Sequence, residues 1–354
     1  MGFNLDFATN SDQIVRFAFL TGVAVVALAL LMVLQVILLR FLLIRRERRK
    51  AEFLAIWRPL MAQSATGESD SYPRVLEADT KEFLILWNHL QELIRGVSKE
   101  SLNQLARSVG MNLTAKKLLL RGTFAERVLA MMTLGNLRDH SAWSTLVELM
   151  HDESPLISLA ATSALMKIDA EVGINLFMPL VSLRDDWPSV KVAAILKGAG
   201  ANVITGSLVK AVRTAKPEQL RRLINFLELA NTAESSQVMR EIMSVSRDQQ
   251  AIATCLRIMN DPRDLDMVRG QIVNPIWIVR VQAAAALGRI GVEEDKARLV
   301  KLLVDPQWWV RYRAATALSQ LPFVSIEELR RILSEQTDRF AIDMLNQVLA
   351  ERVA

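Results

Sequence analysis

The chain has 354 residues, enough for one large domain or two smaller ones. Hydrophobic residues make up 51% and mean hydropathy is +0.21, while only 14 Gly, 10 Pro and 2 Tyr occur; this balance excludes a β-rich fold and favours helix throughout. The net charge of +5 is concentrated at the start, where eight basic and four acidic side chains lie up to Arg58. The remainder is almost neutral, which argues against nucleic-acid binding by the main body of the protein.

From Phe17 to Leu39 the sequence carries no charge for 23 residues. As a helix this stretch reaches about 34 Å, the thickness of a hydrocarbon core. A cleaved signal peptide would have a basic start and a shorter apolar core. Here the start is nearly neutral, and the basic residues Arg40, Arg45, Arg46, Arg48, Arg49 and Lys50 follow the apolar run. Residues 17–44 are therefore expected to anchor the chain. Basic flanks stay on the cytoplasmic side, which gives a single-pass protein of a bacterial inner membrane with residues 1–16 outside and the bulk in the cytosol.

In the basic stretch 45–63, Phe53, Leu54, Trp57, Leu60 and Met61 recur at helical spacing. They either lie along the membrane surface or continue the anchor helix. Residues 64–73 (SATGESDSYP) read as a polar linker. Residues 74–122 contain three short helical patterns and no repeat, and are expected to cap the array that follows.

That array is expected over 123–354. The segment WWVRYRAATALSQL from Trp308 repeats WIVRVQAAAALGRI from Trp277 after 31 residues, placing Arg311 on Arg280 and Asp305 on Asn274. The register continues upstream through Arg127, Ser158 with Asp152, and Lys191 with Asp185, and weaker copies lie near Arg221, Gln250 and Arg339. About eight units of roughly 30 residues result, each reading as two helices, the second with small residues along one face. A single helix pair cannot bury its apolar face, whereas a stack can, so the fold class is all-α: a transmembrane helix followed by an α-α superhelix.

The Asp-x₅-Arg spacing with a following Ala-Ala-x-Ala-Leu resembles the HEAT-repeat family, in particular its short-repeat, phycobilin-lyase-like subgroup. The resemblance implies a ladder of hydrogen bonds between repeats through Asp152, Asp185, Lys191, Asn274, Arg280, Asp305 and Arg311. Ser158, Lys191, Gln250 and Asn274 depart from the strict pattern, which predicts a broken ladder and an irregular middle, about 203–255.

No cofactor or catalytic site is expected. His89, His140 and His151 lack metal-ligand spacing, and no phosphate loop or nucleophile elbow occurs. Asp185-Asp186 has a structural explanation as ladder and helix start. Cys255 lies in an apolar helical run and reads as a small buried hydrophobe. Trp187, Trp277, Trp308 and Trp309 each precede a second helix, where they serve either as staples closing the turn or as partner anchors. Arg221, Arg222 and Arg313 complete the candidates for partner binding, with Arg311 assigned to the ladder. The functional expectation is a membrane-anchored scaffold for a protein partner, such as a membrane enzyme or an export complex like a polysaccharide synthase. Two alternatives remain open: an enzyme acting on a bilin or other small ligand, and a nucleic-acid binder.

Overall fold

A computed structural model describes residues 6–66, 72–94 and 96–353. Among these residues the regular structure is helical, with no strand. The chain divides into two compact units, Met1–Thr114 and Ala115–Ala354.

The first unit is built on α1 (Asp6–Thr66), one helix of 61 residues that spans about 90 Å. The long run of Leu, Ala and Val passes directly into the Arg- and Glu-rich stretch without a helix breaker before Pro59. Its most apolar 18-residue window has a mean hydropathy of 2.9 and none of it is buried. Length and composition suffice to cross a bilayer.

Further along, α1 changes character. Phe53, Trp57, Met61 and Ser64 are buried at helical spacing against α2 (Thr80–Leu93) and α3 (Val97–Ser108). Trp57 meets the Phe83 ring edge-on at 4.9 Å, and the Trp87 indole donates to the Leu102 carbonyl at 2.9 Å. Phe53, Trp57 and Met61 thus fill a protein core and do not lie on a membrane surface, because the apolar faces of α2 and α3 need a third helix to cover them. Ser64–Thr66 form the last turn of α1, and 67–71 lie outside the described residues. Of the segment 74–122, α2 and α3 pack with α1, while α4 (Met111–Arg121) contributes Ala115 and Leu119 to the core of the second unit.

The second unit alternates two kinds of helix. The inner set comprises α5 (Phe124–Leu137), α7 (Pro155–Ile168), α9 (Ser189–Ala199), α11 (Pro217–Phe226), α13 (Gln249–Ile258), α15 (Trp277–Ile290), α17 (Trp308–Gln320) and α19 (Arg339–Val353). Between them run α6 (Trp143–Leu149), α8 (Ala170–Leu183), α10 (Ala201–Thr214), α12 (Thr232–Val245), α14 (Leu265–Gln271), α16 (Asp295–Leu302) and α18 (Ile326–Ser334). Successive inner helices pack side by side over most of the array, and one core of buried side chains runs from Leu159 to Val348. This is a HEAT-like solenoid.

Small residues set the closest approaches. A Cβ on Gly288 would lie 2.9 Å from the Ala317 Cα, and one on Gly135 would lie 2.8 Å from the Ala164 Cα. The two contacts are equivalent positions of α15–α17 and α5–α7, each 29 residues apart. In the middle the stacking changes: α11 packs on α8 and α10 and barely touches α9, which buries only Val192 and Leu196.

Candidate protein-binding edge and the arginine ladder

The turns leading into the inner helices carry a repeated hydrogen-bond motif. The side chains of Asp152, Asn274 and Asp305 accept from the amides of Ser154, Ile276 and Gln307, two residues on in each case, at 2.8–2.9 Å. Arg280 reaches the next repeat with two bonds to the Asp305 carboxylate, at 2.7 and 2.9 Å, and donates back to the Asn274 carbonyl at 2.8 Å. Arg311 donates to the Asp305 and Pro306 carbonyls at 2.7 and 3.1 Å and lies over the Phe340 ring.

Where the arginine pattern lapses, other residues fill the same places. Gln249, and not Gln250, holds the arginine position of α13, and its side-chain oxygen accepts from Asn274 at 3.1 Å. At Ser158 the arginine arrives from the following repeat: Arg184 donates to the Asp152 carbonyl at 2.9 Å and to the Ser158 hydroxyl at 3.2 Å. Arg222 does likewise one step later, donating to the carbonyls of Arg184 and Trp187 at 2.6 and 2.7 Å. Lys191 corrects the expected register. Val192 and Leu196 face inward, so Lys191 is exposed and has no hydrogen bond or ion pair among the described residues. Asp185 is almost fully exposed and meets Arg222 at 3.4 Å.

A second set of ion pairs, not foreseen from the repeats, joins the outer helices. Arg213 pairs with Glu241, Arg240 with the fully buried Asp264, Arg269 with the fully buried Asp295, and Lys296 with Glu328. Asp264 also accepts from Ser236, and Asp295 from the Val292 amide. Burial alone would raise the Asp295 carboxyl; the bonds from Arg269 and Val292 outweigh it and hold the group below its ordinary value. For Asp264 and Asp295 the legible signal was an acid at the start of an outer segment, in DPRDL and EEDKA, facing an arginine in the later half of the preceding outer helix; Glu241 and Lys296 follow no such rule.

The tryptophans separate into two classes. Trp187 is 1% exposed, packs on Phe177 and donates to the Ser158 hydroxyl at 3.0 Å. It is a core residue, which removes it from the partner-binding candidates. Trp277, Trp308 and Trp309 remain 36%, 40% and 56% exposed at the starts of the adjacent helices α15 and α17. Trp308 stacks on Tyr312 at 5.3 Å and meets Trp309 edge-on at 4.6 Å, so this aromatic group is held in place before any partner arrives. Val273, Ile276 and Val304 extend the same turns as exposed apolar side chains.

The arginines near these turns are largely engaged within the protein. Arg222 is consumed in capping carbonyls, Arg311 is buried, and Arg221 is paired with Asp248 at 3.3 Å. Arg313 is half-buried near Arg289, whose guanidinium is lowered chiefly by burial and further by Arg313 and Arg257. Arg289 itself caps the end of α13, donating to the Leu256 and Met259 carbonyls at 2.7 and 3.0 Å. In the first unit, Arg49 and Lys50 pair with Asp79 and Glu82, and Arg40, Arg45, Arg46 and Arg48 remain exposed on α1.

Among curated proteins no match is found. A crystal structure of an engineered protein is similar at a TM-score of 0.33 and 16% identity, covering 82% of this chain and 88% of that one. Residues 271–350, which hold α15, α17 and their ladder, match the family model of HEAT repeats.

Proposed function

We propose that this protein is a membrane-anchored HEAT-repeat scaffold that binds a protein partner through the aromatic edge at the starts of α15 and α17. The observation that carries the reading is the solvent-facing pair Trp308 and Trp309, packed on each other and on Tyr312, with Trp277 exposed at the start of the preceding inner helix. Large aromatic side chains held in one rotamer lose little entropy on binding, which is the property of interface anchors. The apolar, unburied stretch of α1 supports a membrane anchor, and the basic residues after it support a cytosolic array. An anchor confines the array to the bilayer plane and raises its effective concentration near other membrane proteins. The partner class that fits is a membrane enzyme or export complex, such as a polysaccharide synthase.

The test is photo-crosslinking in native membranes with a photoreactive amino acid at position 309 and, separately, at Lys191. A discrete adduct from position 309 alone supports the edge as the binding face. Equal adducts from both positions, or none from either, would sink that assignment.

A further inference from the structure

Within the first unit, an open groove of about 670 Å³ lies between α1 and the segment that returns to it at residues 73–79. Phe41, Arg45 and Arg48 recur at four and three residues, so they share one face of α1, with Ile44 beside them. Arg74 lines the groove from the returning segment, which the 2.8 Å bond between Arg49 and Asp79 ties to α1. Phe41 and Ile44 are 60% and 42% exposed and continue the apolar surface of the preceding stretch. Arg45, Arg48 and Arg74 have no ion pair among the described residues. Four arginines against the carboxylates of Glu52 and Asp79 leave the groove cationic.

The order along the helix selects the ligand. Phe41 lies about 10 Å nearer the apolar end than Arg48, so the bilayer side of the groove is oily and the arginines follow it, with Phe53, Ile56, Trp57 and Leu76 lining the part beyond them. A soluble anion would have no use for the apolar part, and a zwitterionic headgroup would bring its own cation against the arginines. We propose that this groove binds the phosphodiester headgroup of an anionic phospholipid from the adjoining leaflet, with the start of an acyl chain against Phe41 and Ile44. The inference rests on the reading of α1 as a membrane span. It would make the seating of the first unit on the bilayer depend on lipid composition.

The test uses full-length protein in mild detergent, with native mass spectrometry of the lipid retained after adding dioleoylphosphatidylglycerol or dioleoylphosphatidylcholine. Retention of the phosphatidylglycerol in preference to the phosphatidylcholine is expected. Arg48→Ala and Arg74→Ala should each lower the retained fraction about fivefold, while Arg58→Ala, on the same helix outside the groove, should not. No preference between the two lipids in the unaltered protein overturns the proposal, and so does an equal loss in Arg58→Ala, which would signify diffuse charge attraction. Alkaline carbonate extraction separates the two readings. Release of the protein from its membranes defeats the span itself, whereas retention without lipid preference defeats the groove alone.

Discussion

Arg280 holds the carboxylate of Asp305, 25 residues downstream, by two hydrogen bonds of 2.7 and 2.9 Å, and so fastens α15 to the turn that starts α17. Gln249 and Asn274 stand at the same spacing one repeat earlier and replace this ion pair with a neutral amide contact at 3.1 Å. The charge pattern of the ladder can lapse because the geometry of the turn persists: Asn274 still accepts from its own Ile276 amide as Asp305 does from Gln307.

This equivalence predicts a double-mutant cycle. Gln249→Arg and Asn274→Asp should each be neutral or destabilising alone, since each places a charge against an amide in a half-buried site. Together they should recreate the Arg280–Asp305 arrangement, with a favourable coupling of about 1–3 kcal/mol. Thermal or urea unfolding of the four proteins measures it, and a coupling indistinguishable from zero contradicts the structural equivalence.

Gly288→Ala should be destabilising, against the ordinary gain of about 1 kcal/mol for this change inside a helix. The new Cβ would lie 2.9 Å from the Ala317 Cα and Cβ, so α15 and α17 must separate. A loss of about 1–3 kcal/mol is expected. Gly198→Ala, with open space around it, is the control and should be neutral or stabilising. Melting temperatures of the two variants decide the matter.

Trp187→Ala and Trp309→Ala should fail in different ways. The first empties a buried site and orphans the Ser158 hydroxyl bond, at a cost of about 3–5 kcal/mol. The second removes an exposed ring and should change stability by no more than about 0.5 kcal/mol, while abolishing partner retention in a pull-down from native membranes. A destabilised Trp309→Ala would make that ring a staple of the turn.

Acid should loosen the array through its paired carboxylates. The hydrogen bond from the Arg263 guanidinium, joined by that from the Arg263 amide, lowers the Asp261 carboxyl to about 2. In the unfolded chain an Asp titrates near 3.9, so the unfolded state binds the proton first as pH falls. The stabilisation is present above about pH 4 and is lost as pH drops toward 2. Asp261→Asn should therefore destabilise the protein at pH 6 and converge on the parent near pH 2, as followed by urea midpoints at each pH.

The Cys255 thiol is pushed up to about 12 by burial. A thiol-specific reagent at pH 8 should leave it unmodified in the native protein and label it fully in denaturant; rapid native labelling would mean that α13 opens locally.

The repeat array was legible in the sequence from Asn274 to Pro322, where Asp, Arg and small residues recur at 31 residues. Periodicity reports local requirements: a helix face must be apolar, a close helix crossing needs Gly or Ala, and a turn needs an acceptor two residues before its amide. The apolar stretch of α1 was legible for the same reason, since a chargeless run of that length has few homes. What the linear sequence could not decide was the partner of each long cation. A guanidinium reaches far enough to serve the turn before it or the one after, so Arg184 and Arg222 could repair the ladder from positions that no repeat register marks. Burial was equally hidden: Trp187 and Trp309 occupy similar places before inner helices, yet only the packing of α8 and α7 around the first shows which is core and which is surface. The same holds for Phe53, Trp57 and Met61, whose helical spacing fits a bilayer surface as well as a protein core, until α2 and α3 supply the apolar faces that cover them.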